Sequence, residues 1–324
     1  MATIKDVAYR SGLGTSTVSR YFNKTGFVSK ESEEKILKAC KELNYVPNAL
    51  ARAFKTKKTY TTCLVLPTIS NLFFPELAIT IEQTCIKRGY KVILCNTNED
   101  VELEKLYLEM IEQSYVDGMI VATGERMYKK LTTDTPIVFL DRVDFTTKKY
   151  SIVTSDHLDG AIQASEYLIQ AGCQKLLFLQ PNKKYGPATL RKQGFEQVMQ
   201  KYQKEYDCIS LEQMSTSSLD HLLQQGYDGA FAWNDYAAAR FMEECRNRNI
   251  RIPDDMQVIG YDDIPIASYL YPKLTTISQP LELLGKYAAD ILIDKIEGKR
   301  NEEVKIVLEN KLVVRGSTKE VMKQ

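Results

Sequence analysis

Thr3-Ile4-Lys5-Asp6-Val7-Ala8-Tyr9-Arg10-Ser11-Gly12-Leu13-Gly14-Thr15-Ser16-Thr17-Val18-Ser19-Arg20 reads as two short helices around a tight turn. Ile4, Val7 and Ala8 fall at i, i+3 and i+4 and so share one apolar face. Gly12 stands where a helix C-terminus needs a residue that accepts a positive φ, and Leu13 packs beneath the turn. The second helix turns Val18 inward and Thr15, Ser16, Thr17, Ser19 and Arg20 outward. Short hydroxyl side chains and an arginine at the exposed start of a second helix suit a DNA major groove. A generic pair of small helices has the same spacing, so the pattern needs independent support.

Charge supplies that support. Residues 1–58 hold twelve lysines and arginines against five aspartates and glutamates, a net of +7, whereas the whole chain of 324 residues carries +1. The remainder is therefore net acidic, and a basic head on an acidic body is the asymmetry expected of a phosphate-binding module joined to a second task.

After Lys55-Thr56-Lys57-Lys58 the chain alternates strand-like and helix-like segments. Strands are expected at 62–66, 91–95, 118–122, 136–140, 175–179, 229–232 and 257–260. Helices are expected near 75–88, 101–113, 160–171, 188–202 and 236–247. Short apolar strands between amphipathic helices mean parallel sheets covered on both faces. Two such series give two lobes, with crossovers near 151–156, 274–280 and about 310. The fold expected is α/β with a small all-α head: a helix-turn-helix domain at 1–46, a linker at 47–59, and two doubly wound parallel-sheet lobes over 60–324.

Ligands of such sheets sit beyond the C-terminal ends of the strands. There lie Asn71 with Phe73 and Phe74, then Asp141 with Arg142, then Asn234 and Asp262; Arg191 opens a helix and Gln279 lies on a crossover. Carboxylates, amides and guanidiniums beside aromatic faces are how proteins hold sugars, the polar groups serving hydroxyls and the rings covering C–H faces. Taken singly, each has a plainer reading, since Asp or Asn after a strand is often a helix cap and either phenylalanine could be core.

The stretches Ala2-Thr3-Ile4-Lys5-Asp6-Val7-Ala8, Ser16-Thr17-Val18-Ser19-Arg20 and Leu43-Asn44-Tyr45-Val46-Pro47-Asn48-Ala49-Leu50-Ala51-Arg52 resemble the N-terminal domain of the lac repressor (LacI/GalR) family. The resemblance implies a third helix at roughly 32–43, with Ile36, Leu37, Cys40 and Leu43 as its buried stripe. It also implies a hinge helix starting near Pro47 that forms on DNA and drives an apolar wedge into the minor groove. Asn48, Ala51 and Arg52 would lie on that hinge. The family's usual wedge is leucine; here the register puts Phe54 there, either intercalating or packing on its symmetry mate. On the head, Thr15, Ser16 and Arg20, flanked by Thr17 and Ser19, would set base preference, while Lys5, Asn23 and Tyr45 would hold phosphates. The body resembles the periplasmic sugar-binding-protein fold. The resemblance carries sugar contacts onto Asn71, Phe73, Phe74, Asp141, Arg142, Arg191, Asn234, Asp262 and Gln279, with ribose as the first expectation and sucrose or another sugar second.

The function expected is a sequence-specific DNA-binding repressor of a sugar-utilisation operon, released by a small sugar; an activator of the same fold is the alternative. Such a protein would be a cytoplasmic homodimer on pseudo-palindromic operator DNA, without a membrane partner. No leucine-heptad tail of the tetramerising kind follows the body, so dimers alone are expected. No signal-like leader or long apolar run is present. Catalysis is not expected, because P-loop, nucleophile elbow, zinc motif and G-x-G-x-x-G are all lacking and only His157 and His221 could serve as imidazole bases. Seven dispersed cysteines without C-x-x-C spacing read as reduced and mostly buried, so neither a metal nor another cofactor is expected.

Overall fold

The computed structural model describes residues 2–23, 26–46, 58–113, 115–123, 134–141, 149–183 and 186–321, and divides into two units, Met1–Tyr60 and Thr61–Gln324. The head holds α1 (Ile4–Ser11), α2 (Thr15–Asn23) and α3 (Lys30–Glu42). Thr3 and Asp6 close a reciprocal capping box on α1, and Gly12 ends it at φ 68°, the left-handed conformation the sequence demands there. Val7, Ala8, Val18, Ile36 and Ala39 form the head's core, with Phe22 and Tyr45 packed against it. Two expectations for α3 need correction. Its N-cap is Ser29, which accepts from the Ser32 amide at 3.3 Å, so the helix starts earlier than 32. Leu37 is 52% exposed and Ala39 takes the inward position, because helical geometry places 36, 39, 40 and 43 on one face and 37 beside it.

The body contains two six-stranded sheets. The first has order β11-β5-β4-β3-β1-β2, all parallel, from β1 (Thr61–Leu66), β2 (Lys91–Asn96), β3 (Gly118–Val121), β4 (Ile137–Leu140), β5 (Ser151–Ser155) and β11 (Lys305–Leu308). The second has order β12-β10-β9-β8-β6-β7, from β6 (Lys175–Leu179), β7 (Glu205–Ile209), β8 (Gly229–Ala232), β9 (Gln257–Asp262), β10 (Thr275–Ser278) and β12 (Lys311–Val313). Only β12 runs antiparallel, against β10. Helices α4 (Phe73–Lys87), α5 (Val101–Glu112) and α11 (Leu281–Ile296) belong to the first lobe. The second takes α6 (His157–Gln170), α7 (Gly186–Tyr202), α8 (Thr216–Leu223), α9 (Asp235–Asn247) and α10 (Ile266–Tyr269). The chain passes between lobes at residue 156, at 279–280 and at 309–310.

The segments 151–155 and 275–278, expected as crossovers alone, are strands whose far ends make the crossings. Both carry Ser and Thr among their apolar residues, which masks the continuous apolar run of a buried strand. β7, β11 and β12 escape the sequence reading because they are sheet-edge strands with mixed polarity.

Helices α6 and α7 of the second lobe pack at close range. At Gly194 of α7, an added Cβ would stand 2.5 Å from the Leu158 carbonyl oxygen and 2.8 Å from the Ala161 Cβ of α6. Gly194→Ala gains up to about 1 kcal/mol of helix propensity. Forcing two helix backbones apart costs about 1–3 kcal/mol. The net expectation is a lower urea midpoint for the body with the head's own unfolding unchanged; an unaltered or raised body midpoint would contradict this packing.

Candidate functional site

On the head, Lys5, Thr15, Ser16 and Arg20 are exposed, and Thr17, Ser19 and Asn23 are half-buried, so the hydroxyl-rich face of α2 is presented outward as the spacing implies. Asn23 Nδ2 donates to Ser19 Oγ at 3.1 Å, which fixes the end of that face. Tyr45 is half-buried, its ring centroid 5.8 Å from that of Phe22, so its ring serves the head's core. Tyr9 and Phe27, 91% and 87% exposed, are large aromatic residues that the sequence reading did not single out; surface aromatics carry no periodic signal. Asn48, Ala51, Arg52 and Phe54 lie outside the described residues.

In the body, the polar residues at strand ends converge. Asp141 follows β4 with φ 69°, and Asp262 ends β9 with φ 109°, so each lobe carries a carboxylate on a backbone conformation that L-residues seldom adopt. Asp141 Oδ1 accepts from Thr154 Oγ1 at 2.9 Å and from His157 Nε2 at 2.5 Å. Across the imidazole, Arg191 Nε and Nη2 stand 3.4 and 3.3 Å from His157 Nδ1. Arg191 Nη1 donates to the Trp233 carbonyl, and Nη2 lies 3.4 Å from Asp262 Oδ1. Asp262 Oδ1 accepts from Gln279 Nε2 at 2.7 Å, and Gln279 Oε1 accepts from Ser155 Oγ at 2.6 Å. A continuous buried chain thus runs from Asp141 in the first lobe through His157 to Arg191 and Asp262 in the second, and returns through Gln279.

The chemistry of the partners fixes the imidazole. A guanidinium only donates, so Nδ1 facing Arg191 must accept, and Nε2–H donates to Asp141. His157 is therefore neutral: burial pushes it below its usual value, and the Arg191 charge outside Nδ1 adds to that against the pull of Asp141. Burial works to raise the Asp141 carboxyl, but the hydrogen bonds from His157 Nε2–H and the Thr154 hydroxyl, with the nearby Arg191 charge, outweigh it and hold it below its usual value. Asp235, behind Asp262, is held well above the carboxylate range by burial first and by Asp262 second, while accepting from the Ile264 amide and Thr276 Oγ1.

Of the nine expected ligand residues, Asp141, Arg191, Asp262 and Gln279 are brought together in this chain. Asn71 Oδ1 accepts from the Phe73 amide at 3.0 Å, and Asn234 Oδ1 caps α9 through the Ala237 amide at 2.8 Å, so one oxygen of each has the plainer capping role. Phe73 and Phe74 are buried in the first turn of α4 with centroids 5.1 Å apart, edge to face. Arg142 lies outside the described residues. His157, Ser155 and Tyr261 were missed. The strand-end rule would have found the first two had 151–155 been read as a strand. Two contacts also cross between lobes away from this chain, Lys183 Nζ to Glu99 Oε2 at 3.1 Å and Tyr236 OH to the Ser70 carbonyl at 3.3 Å. No cluster of metal-ligating side chains occurs among the described residues, and no helix among them is long and apolar enough to cross a membrane.

Comparison with known proteins places both units. The description "bacterial regulatory proteins, lacI family" matches residues 3–48, and "periplasmic binding protein-like domain" matches 165–318. A ribose operon repressor of Halalkalibacterium halodurans is 39% identical over 98% of this chain and 98% of its own length. An HTH-type transcriptional repressor, PurR of Vibrio vulnificus, is 33% identical over 99% of this chain and 100% of its own length. Among solved structures, a LacI transcriptional regulator from Alkaliphilus metalliredigens complexed with D-xylulofuranose is 32% identical, with TM-score 0.73 over 81% of this chain and 100% of its own. A LacI family regulator from Enterococcus faecium with bound ribose is 28% identical, with TM-score 0.68 over 81% and 100%. The lac repressor dimer bound to operator is 25% identical, with TM-score 0.83 over 98% of each chain.

A neutral His157 has a measurable sign. The unfolded imidazole takes up a proton as pH falls below about 6.5 while the folded one does not, so stability drops on acidification, by up to about 1.4 kcal/mol per pH unit. Asp235 works in the opposite sense, its folded carboxyl keeping a proton that the unfolded one loses as pH rises, but it is common to wild type and variant. Urea midpoints of the body at pH 7.5 and 5.5 should therefore fall more steeply in wild type than in His157→Gln. Equal slopes would contradict the buried neutral imidazole.

Proposed function

We propose that this chain, which belongs to the lacI family of bacterial regulatory proteins and is a transcriptional repressor, answers to a five-carbon sugar, ribose first. The observation that carries this reading is the buried chain Asp141–His157–Arg191–Asp262–Gln279, donors and acceptors gathered from both lobes. A polyhydroxylated ring offers each of these groups a replacement partner, and the relatives with ribose in their names or sites support that choice. D-xylulofuranose is the second reading, supported by a neighbour that is 32% identical. Sucrose follows.

In this reading the protein is a cytoplasmic homodimer on a pseudo-palindromic operator, since one short recognition helix reads too few base pairs alone. Thr15, Ser16 and Arg20 read base edges; Lys5, Asn23 and Tyr45 hold phosphates. Asn48, Ala51, Arg52 and the wedge Phe54 act from the hinge, on the strength of the sequence. The sugar prefers one arrangement of the lobes, because a ligand with equal affinity for both shifts nothing, and that preference releases the operator.

Calorimetry of the full chain should give heat with ribose, weaker or no heat with sucrose, and loss of ribose binding in Asp262→Ala. Sucrose binding without ribose binding would reject the pentose, and undiminished binding in the variant would reject the site. On DNA, Ser16→Ala should cost about 1–3 kcal/mol on the native operator and little on random sequence. Lys5→Ala should weaken both and flatten the salt dependence. Equal losses for Ser16→Ala on the two DNAs would overturn its role as a base reader.

A further inference from the structure

The Tyr261 side chain is fully buried at the end of an aromatic series, its ring centroid 6.4 Å from Phe231, which in turn is 6.4 Å from Phe195. Two observations separate this tyrosine from its core neighbours. Its ring carries the Arg191 guanidinium, Cζ lying 3.6 Å from the centroid, a stacked arrangement that fixes the plane in which Arg191 donates. Its hydroxyl is oriented from one side and used on the other. Asn310 Nδ2 donates to it at 2.9 Å, which leaves its own proton to point at His157 Nδ1, 3.3 Å away. Asn310 is itself pinned where the chain passes between lobes, donating to the Asp156 carbonyl at 2.7 Å. Space for the hydroxyl comes from Gly160, where a Cβ would stand 2.6 Å from it. The groups acting on His157 are therefore Asp141 from the first lobe, Ser155 at the end of β5, the adjoining Asp156 carboxylate at the first crossing, and Arg191 and Tyr261 from the second lobe.

We propose that Tyr261 is a positioning residue of the effector site: its ring sets the plane of Arg191, and its hydroxyl, oriented by Asn310 at the third lobe crossing, holds His157 in the Nε2–H tautomer that binds Asp141. The inference rests on the effector reading for its consequence, but the tautomer itself does not depend on any sugar. Tyr261 thereby connects a crossover residue to the pair of charges on either side of the imidazole. Tyr261→Phe keeps the ring under Arg191 and removes only the hydroxyl, so it separates the two roles.

The chain has only two histidines, and His221 is on the surface, so long-range nitrogen–proton NMR of the full chain resolves the imidazole of His157 directly. In wild type at neutral pH, His157 should show an unprotonated Nδ1 and a protonated Nε2. In Tyr261→Phe, the loss of a donor to Nδ1 should move the His157 protonation midpoint upward, and ribose affinity measured by calorimetry should weaken by about 3- to 10-fold, the worth of one hydrogen bond. Asn310→Ala, which leaves the hydroxyl but unties it from the crossing, should move the midpoint in the same direction by less. A His157 that is charged or Nδ1-protonated in wild type would overturn the proposal. So would a Tyr261→Phe protein with the wild-type imidazole spectrum, or one with altered NMR but unaltered ribose affinity. Failure of the wild-type chain to bind ribose would contradict the pentose reading alone, and the NMR arm would still decide the tautomer.

Discussion

The hydrogen bond from His157 Nε2 to Asp141 Oδ1 joins the two lobes through a buried pair of ionisable side chains. One partner stands at the end of a strand in the first sheet; the other opens the first helix of the second lobe. Both are buried, and a buried ionised carboxylate without a donor would cost several kcal/mol. The position of each lobe relative to the other is therefore constrained at this contact, and whatever supplies Asp141 with other donors relaxes the constraint. A sugar rich in hydroxyls is one such ligand. In the proposed function, that exchange of partners is what ties a bound sugar to the arrangement of the two lobes.

The surrounding residues maintain the contact rather than merely accompany it. Arg191 cannot accept a proton-bearing Nδ1, so it selects the neutral imidazole. Tyr261 supports Arg191 from below and donates toward the same Nδ1. Asp262 balances the guanidinium charge, and Gln279 with Ser155 returns the chain to the first lobe. Removing one member leaves its partner buried and unpaired, so single substitutions here should cost more than the loss of one contact.

Much of this was legible in the sequence. The capping box at Thr3 and Asp6, the positive-φ glycine at 12 and the inward Val18 specify the head because each is a local rule. Asp141 and Asp262 stand out because they close parallel strands, where such sheets present side chains to a ligand, whereas Arg191 on a helix and Gln279 on a crossover are pointed to by the family resemblance. His157 was lost for a nameable reason. The strand before it, Ser151-Ile152-Val153-Thr154-Ser155, mixes hydroxyls with β-branched residues and reads as a crossing, so the strand-end rule does not point to the residues beyond it. Tyr261 lies inside β9, one residue short of its end, where the strand-end rule does not point. Its role depends on Asn310 and Gly160, distant in sequence, and no local pattern announces such a meeting.

The central claim is that a pentose replaces partners within this one buried chain, and a crystal structure of the full chain grown with ribose tests it most directly. The account predicts ribose oxygens within hydrogen-bond distance of Asp141, Arg191 and Asp262, with the sugar's C–H face against Phe73 or Phe74. Ribose bound elsewhere, or a saturated crystal in which the Asp141–His157–Arg191–Asp262 chain is untouched, would contradict it.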